Sequence, residues 1–131
     1  MTTDIPLISI VDDDDTVRAA TESLVRSLGF ETRTFASADS FLQSSSPQET
    51  RCLILDVQMP NMSGIELQHH LSELGFEIPI IFMTAYPDEA VRQRAMEAGA
   101  VAFLLKPFEV CGQRFIDCLF EILKQDKRPA L

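Results

Sequence analysis

The chain has 131 residues, 46% apolar and 24% charged, with 20 acidic and 11 basic side chains for a formal net charge of −9. That length suits one domain with a buried core, and the charge repels phosphate backbones, which argues against nucleic-acid binding by this domain alone. No apolar run approaches the roughly 20 residues that span a membrane, the start MTTDIPLISIV lacks the basic segment and cleavage site of a signal peptide, and Cys52, Cys111 and Cys118 include no CxxC pair, so reduced thiols in a cytoplasmic protein are expected.

Strand and helix signals alternate along the chain. Leu7 to Val11 is a continuous apolar run, as in a strand buried on both faces. Asp14 or Asp15 can cap the helix that follows. Val17, Ala20, Thr21, Leu24, Val25 and Leu28 recur in it at three- and four-residue spacing, and Gly29 ends it. Phe30 to Phe35 mixes charge with strand formers and suits a sheet edge. A short helix from Ser37 or Ala38 to Leu42 breaks at Ser44-Ser45-Ser46-Pro47.

Cys52 to Val57 is the next buried strand, followed by a loop from Gln58 to Ser63. A helix comes after it, with Ile65, Leu67, Leu71 and Leu74 inward and Gly75 as its stop. Ile78 to Thr84 is the fourth strand, with Pro79 near its start, where a missing donor is tolerable. Pro87 and Asp88 open a fourth helix that runs to about Gly99. Ala100 to Leu105 is the fifth strand. The last helix carries Phe115, Cys118, Leu119 and Ile122 on one face, with Lys124 and Lys127 near its end. Residues 1–125 thus read as one domain and residues 126–131 as the start of a linker or a tail.

Five strand–helix units with short connections predict an α/β fold, a doubly wound five-stranded parallel sheet. Ligands of such sheets bind beyond the carboxyl ends of the strands. Asp12, Asp13, Asp56, Thr84 and Lys106 all fall at those ends. Carboxylates gathered there cannot all ionise comfortably unless a cation binds. Hard oxygen ligands, completed by water and phosphate, describe magnesium. A carboxylate beside the metal can act as a nucleophile, and a lysine opposite can stabilise a transferring phosphoryl group. Taken alone, the run Asp12 to Asp15 reads as a helix cap on a solvated surface; the three other strand ends turn the reading towards a site.

The chain resembles a response-regulator receiver domain of bacterial two-component systems over nearly its whole length. The resemblance rests on Val11-Asp12-Asp13, on Leu55-Asp56-Val57-Gln58-Met59-Pro60-Asn61-Met62-Ser63-Gly64, on Met83-Thr84-Ala85 and on Lys106-Pro107-Phe108. Each motif is weak alone; four in order, each after a predicted strand, are specific. The resemblance implies a flavodoxin-like (βα)5 fold with strand order 2-1-3-4-5.

It also implies roles. Asp56 matches the phosphoacceptor that attacks a phosphohistidine of a sensor histidine kinase. Asp13, Asp56 and the backbone carbonyl of Gln58 match ligands of Mg2+ (or Mn2+), and Asp12 matches the residue that holds the metal through water. Thr84 and Lys106 match the hydroxyl and the ammonium that meet the phosphoryl group. Pro107 matches a cis-proline that aims the lysine. Phe103 falls where the family places a switch aromatic, although a plain core residue fits equally well. Gln58 and Tyr86 match positions that tune phosphoryl lifetime.

The expected function is a phosphorylation-dependent switch, not an enzyme beyond assisting its own phosphorylation and dephosphorylation. Its fourth helix, fifth strand and fifth helix would form a face that controls dimerisation and transcription. The loop and Lys106-Pro107-Phe108 are most similar to receivers of the nitrogen-fixation-regulator type, which precede a helix-turn-helix output domain. The implied partners are the kinase, a second copy when phosphorylated, and DNA only through an output domain outside this chain; no membrane partner is expected. The alternative is a magnesium-dependent phosphohydrolase of haloacid-dehalogenase type, with Asp12 as nucleophile in Asp12-Asp13-Asp14-Asp15-Thr16. It lacks a late acidic pair after Lys106, since Asp117 falls inside a helix, and it leaves Asp56 unused. His69 and His70, adjacent on a helix, read as surface residues rather than ligands.

Overall fold

A computed structural model describes residues 5–106 and 112–124. Five parallel strands, β1 (Leu7–Val11), β2 (Glu31–Phe35), β3 (Cys52–Asp56), β4 (Ile80–Thr84) and β5 (Ala102–Leu105), form one sheet in the order β2-β1-β3-β4-β5. The helices are α1 (Asp15–Ser27), α2 (Ala38–Gln43), α3 (Ser46–Glu49), α4 (Gly64–Glu73), α5 (Glu89–Glu97) and α6 (Gln113–Lys124). The predicted sheet and its strand order are those observed. Pro107 and residues 126–131 lie outside the described residues.

Alternation along the strands divides the core in two. Ile8, Ile10, Ile54, Ile81 and Leu104 pack towards α1 and α6, against Val25, Phe115 and Leu119. Val11, Leu53, Leu55 and Phe82 pack on the other face, against Phe41, Leu67 and Ala95 of α2, α4 and α5. Strands β1, β3 and β4 are buried along their whole length, as their unbroken apolar runs require, whereas β2 is half-exposed at the sheet edge.

Some details differ from the sequence reading. The serine-rich break after α2 goes on to form α3, because Pro47 stands in its first turn, where the missing N–H is harmless. Thr50 closes that turn by donating from its hydroxyl to the Ser46 carbonyl at 2.7 Å. Strands β4 and β5 start two residues later than expected, and β3 ends at Asp56 rather than Val57. Ala20 and Leu74 are exposed rather than inward, since Ala20 lies at the margin of its helix's apolar stripe and Leu74 is the C-cap beyond the last turn of α4.

Register sets the site. The pairing of Val11 with Leu55 places the next residues, Asp12 and Asp56, level on neighbouring strands. Asp56 pairs with Met83, and Thr84 with Leu105, so Thr84 and Lys106 follow at the same edge. The winding reverses between β1 and β3, where such sheets leave a crevice.

The loop after β3 is drawn tight onto that edge. Ser63 and Glu66 form a reciprocal capping box at the start of α4. The Gly64 N–H donates to the Val57 carbonyl at 2.9 Å. A Cβ on Gly64 would stand 2.2 Å from the Asp56 carbonyl oxygen, so only glycine lets the helix start there. Gly64→Ala is expected to destabilise the fold by about 3 kcal/mol, because the obstacle is backbone that cannot swing aside. Urea unfolding measures this, and a loss below about 1 kcal/mol would show that α4 can start elsewhere.

Candidate functional site

Each charged group of the site stands at a strand end. Asp12 is fully buried, Asp56 is 4% exposed, and Asp13 faces solvent. One oxygen of each lies within 4.8 Å of the others. Lys106 reaches across from β5 and places Nζ 2.9 Å from Asp12 Oδ2 and 3.3 Å from Asp56 Oδ1.

The β1–α1 turn holds the acids in place. The Asp14 N–H donates to Asp12 Oδ1 at 2.9 Å. Asp14 then caps α1 by accepting from the N–H groups of Thr16 and Val17. Arg18 Nη1 donates to the Asp12 carbonyl at 2.7 Å, while Nη2 pairs with Asp15 at 2.5 Å. This clamp by Arg18 escaped the sequence reading. Its signal was an arginine three residues after the acidic run. The tight approach of Gly64 was likewise hidden within its motif.

Burial dominates the electrostatics. It pushes the Asp56 carboxyl up to about 7; Asp12 nearby adds to the rise, Lys106 opposes it, and a hydrogen bond with Asp13 adds further. Burial also works against the Lys106 charge, but Asp12 and Asp56 outweigh it and hold the ammonium above the ordinary lysine range. Three carboxylates face one ammonium, which leaves two negative charges in excess when all are ionised. Asp12 Oδ2, fully buried, makes its ion pair with Lys106 but no well-aligned hydrogen bond, so it retains accepting capacity. Hard oxygens with spare capacity and excess negative charge fit a divalent cation. Asp12, Asp13 and Asp56 are the residues that would hold such an ion.

The remaining predicted residues divide. Thr84 is buried at the edge, but its hydroxyl is engaged with the backbone of Tyr86, accepting from its N–H at 3.0 Å and donating to its carbonyl at 3.1 Å. The Gln58 N–H donates to Asp56 Oδ1 at 3.4 Å, a long contact. Tyr86 is 69% exposed. Phe103 is half-buried, with its ring centroid 6.1 Å from that of Phe82. His69 and His70 are exposed.

A buried carboxylate, an opposing ammonium and a carboxylate cluster suited to a hard cation thus meet at the carboxyl edge of the sheet. Comparison with known proteins identifies the family. The model of the response regulator receiver domain matches residues 8–111. Response regulator protein TmoT of Ectopseudomonas mendocina is 48% identical over 102 residues, 78% of this chain and 46% of that protein. Transcriptional regulatory protein TdiR of Thauera aromatica is 41% identical over 123 residues, 94% of this chain and 53% of that one. The crystal structure of FixJ-N superimposes with a TM-score of 0.81 at 33% identity, covering 98% of this chain and all of that one. The chain belongs to the response regulator receiver domain family, whose members are phosphorylation-dependent signalling switches partnered by sensor histidine kinases. It spans about half the length of the curated relatives it matches. Among the described residues no helix is long and apolar enough to cross a membrane.

The raised Asp56 carboxyl gives a signed pH effect in the metal-free protein. Its folded value of about 7 lies above the ordinary 3.8. Between these values the folded state binds the proton more tightly than the unfolded state, so Asp56 lowers stability progressively as pH rises from about 4 to about 7. Asp56→Asn removes that burden. In urea unfolding with chelator, its gain over the parent should be larger at about pH 8 than at about pH 5.5. An equal gain at both would show that Asp56 ionises normally.

Proposed function

We propose that Asp56 accepts a phosphoryl group from the phosphohistidine of a sensor histidine kinase, and that the resulting charge remodels the α5–β5–α6 face, the fourth helix, fifth strand and fifth helix of the sequence reading. The reading is carried by one observation: the Lys106 ammonium stands between buried Asp12 and Asp56, with Asp13 within ligand distance. An Asp56 carboxylate oxygen attacks phosphorus, the phosphorus–nitrogen bond breaks, and the histidine nitrogen leaves with its electron pair. Lys106 keeps its charge throughout and pairs with the oxygens of the incoming group. Asp12, Asp13, Asp56 and the Gln58 carbonyl would hold Mg2+ (or Mn2+), which when bound supplies positive charge to the carboxylates and phosphoryl oxygens. The Thr84 hydroxyl then leaves the Tyr86 backbone for a phosphoryl oxygen, and Phe103 follows inward as the switch aromatic. The domain acts as a switch, not as an enzyme on other substrates.

The output reading is that phosphorylation pairs two copies through α5–β5–α6 and drives transcription through a domain beyond this chain. It is supported by TdiR, a transcriptional regulatory protein, and by that protein's greater length. Under this reading residues 126–131 begin the linker.

Two experiments test the proposal. Incubation with acetyl phosphate and Mg2+ should add one phosphoryl group, mapped to Asp56 and absent in Asp56→Asn. Label on Asp12, or multiple turnover of phosphoesters, would favour the phosphohydrolase alternative instead. Tyr86, two residues after Thr84, is proposed with Gln58 to tune phosphoryl lifetime. Tyr86→Ala should shorten the half-life of the acyl phosphate by about two- to fivefold, a barrier lower by about 0.4–1 kcal/mol; an unchanged half-life removes Tyr86 from that role.

A further inference from the structure

Helix α5 is lightly held. Among the described residues Ala95 is its one buried side chain, with Val91 and Met96 half-buried. A helix with so little apolar contact relies on polar ties at its ends. At its leading end, the Thr84 hydroxyl grips both backbone groups of Tyr86. At its trailing end the chain turns through Gly99 at φ 104°, with Gly99 donating to Met96 at 3.0 Å and Ala100 to Ala95 at 3.1 Å. The Ala95 carbonyl has a second lone pair. Gln68 of α4 fills it, donating from Nε2 at 3.1 Å. Gln68 is only 6% exposed, and an amide is rarely buried without a use for its hydrogen bond.

We propose that Gln68 is a positioning residue that sets the phosphorylation equilibrium: its bond to the Ala95 carbonyl latches α5 in the unphosphorylated arrangement and must break when the domain switches. The inference rests on the reading of Asp56 as phosphoacceptor. Once Thr84 turns to a phosphoryl group it releases Tyr86, while among the described residues the Gln68 bond still ties α5 to α4. Helix shifts in switching proteins run to about 1–2 Å, and a 3.1 Å hydrogen bond does not survive such a displacement. An open groove of about 390 Å³ beside the latch, lined by Gln68, Phe76, Ile78, Gly99 and Val101, leaves room for the helix end to move. A bond made in one of two states shifts the balance towards that state and weakens whatever binds the other.

Beryllofluoride, a phosphoryl stand-in that does not hydrolyse, reads this balance directly. With saturating Mg2+, Gln68→Leu should bind beryllofluoride about three- to tenfold more tightly than the parent, the range expected for one net hydrogen bond. A purely structural role would move the unfolding midpoint and leave this affinity unchanged. Unchanged or weaker binding by folded Gln68→Leu, or by Gln68→Met where Leu does not fold, overturns the inference. The parent gives a reading free of substitution: the Gln68 side-chain amide protons should exchange faster with solvent once beryllofluoride is bound, and unaltered exchange also overturns it. A parent that binds no beryllofluoride, or binds it equally as Asp56→Asn, fails at the earlier step and takes the phosphoacceptor reading down with the latch.

Discussion

The site depends on one charge balance: a single buried ammonium, Lys106, set against the carboxylates of Asp12 and Asp56. Taking these groups out of water is expensive, and the attraction between them repays it only in part. The fold supplies the remainder through strand register, which holds Asp12 and Asp56 level, and through the hydrogen bonds of Asp14 and Arg18 to Asp12. With Asp13 at the rim the pocket still carries excess negative charge. Burial is the main cause of the raised Asp56 carboxyl and the neighbouring Asp12 adds to it, while the excess charge fits the cluster to a divalent cation. A phosphoryl group arriving with more negative charge would need both Lys106 and a cation as counter-charge.

The same economy explains how a local event can reach the surface. The strands under the site are buried along their length and resist deformation. Helix α5 is different: among the described residues it has one fully buried side chain, Ala95, with Val91 and Met96 half-buried, and polar ties at its two ends. A hydroxyl that changes partner at Thr84 therefore acts on the element least able to resist. Phe103, half-buried on β5 beside Phe82, lies on the same side of the sheet.

Much of this was legible in the sequence, since apolar runs mark buried strands and the polar residues that end them must share one edge. Asp12, Asp56, Thr84 and Lys106 were placed that way, and parallel pairing brought them together. What stayed hidden depends on side-chain direction and close approach, which periodicity does not encode. The Thr84 hydroxyl turns to Tyr86 rather than into the pocket. Gln68 sits among apolar helix positions yet reaches another helix's carbonyl. Gly64 reads as one more loop glycine until its distance from Asp56 is known. Arg18 looks like a surface partner of Asp15, whereas its second nitrogen holds the Asp12 backbone. The turn of α3 was read only as a break, because serine and proline stop one helix with the same chemistry that starts the next.

Calorimetric titration of Mg2+ at neutral pH, repeated in buffers of differing ionisation heat, probes this charge balance most directly. A cation entering the cluster favours the ionised Asp56 and so displaces the fraction of a proton that burial leaves there at neutral pH. The account predicts one ion per chain with release of part of a proton, and no proton release in Asp56→Asn. Binding without proton release in the parent, or no binding, would contradict it.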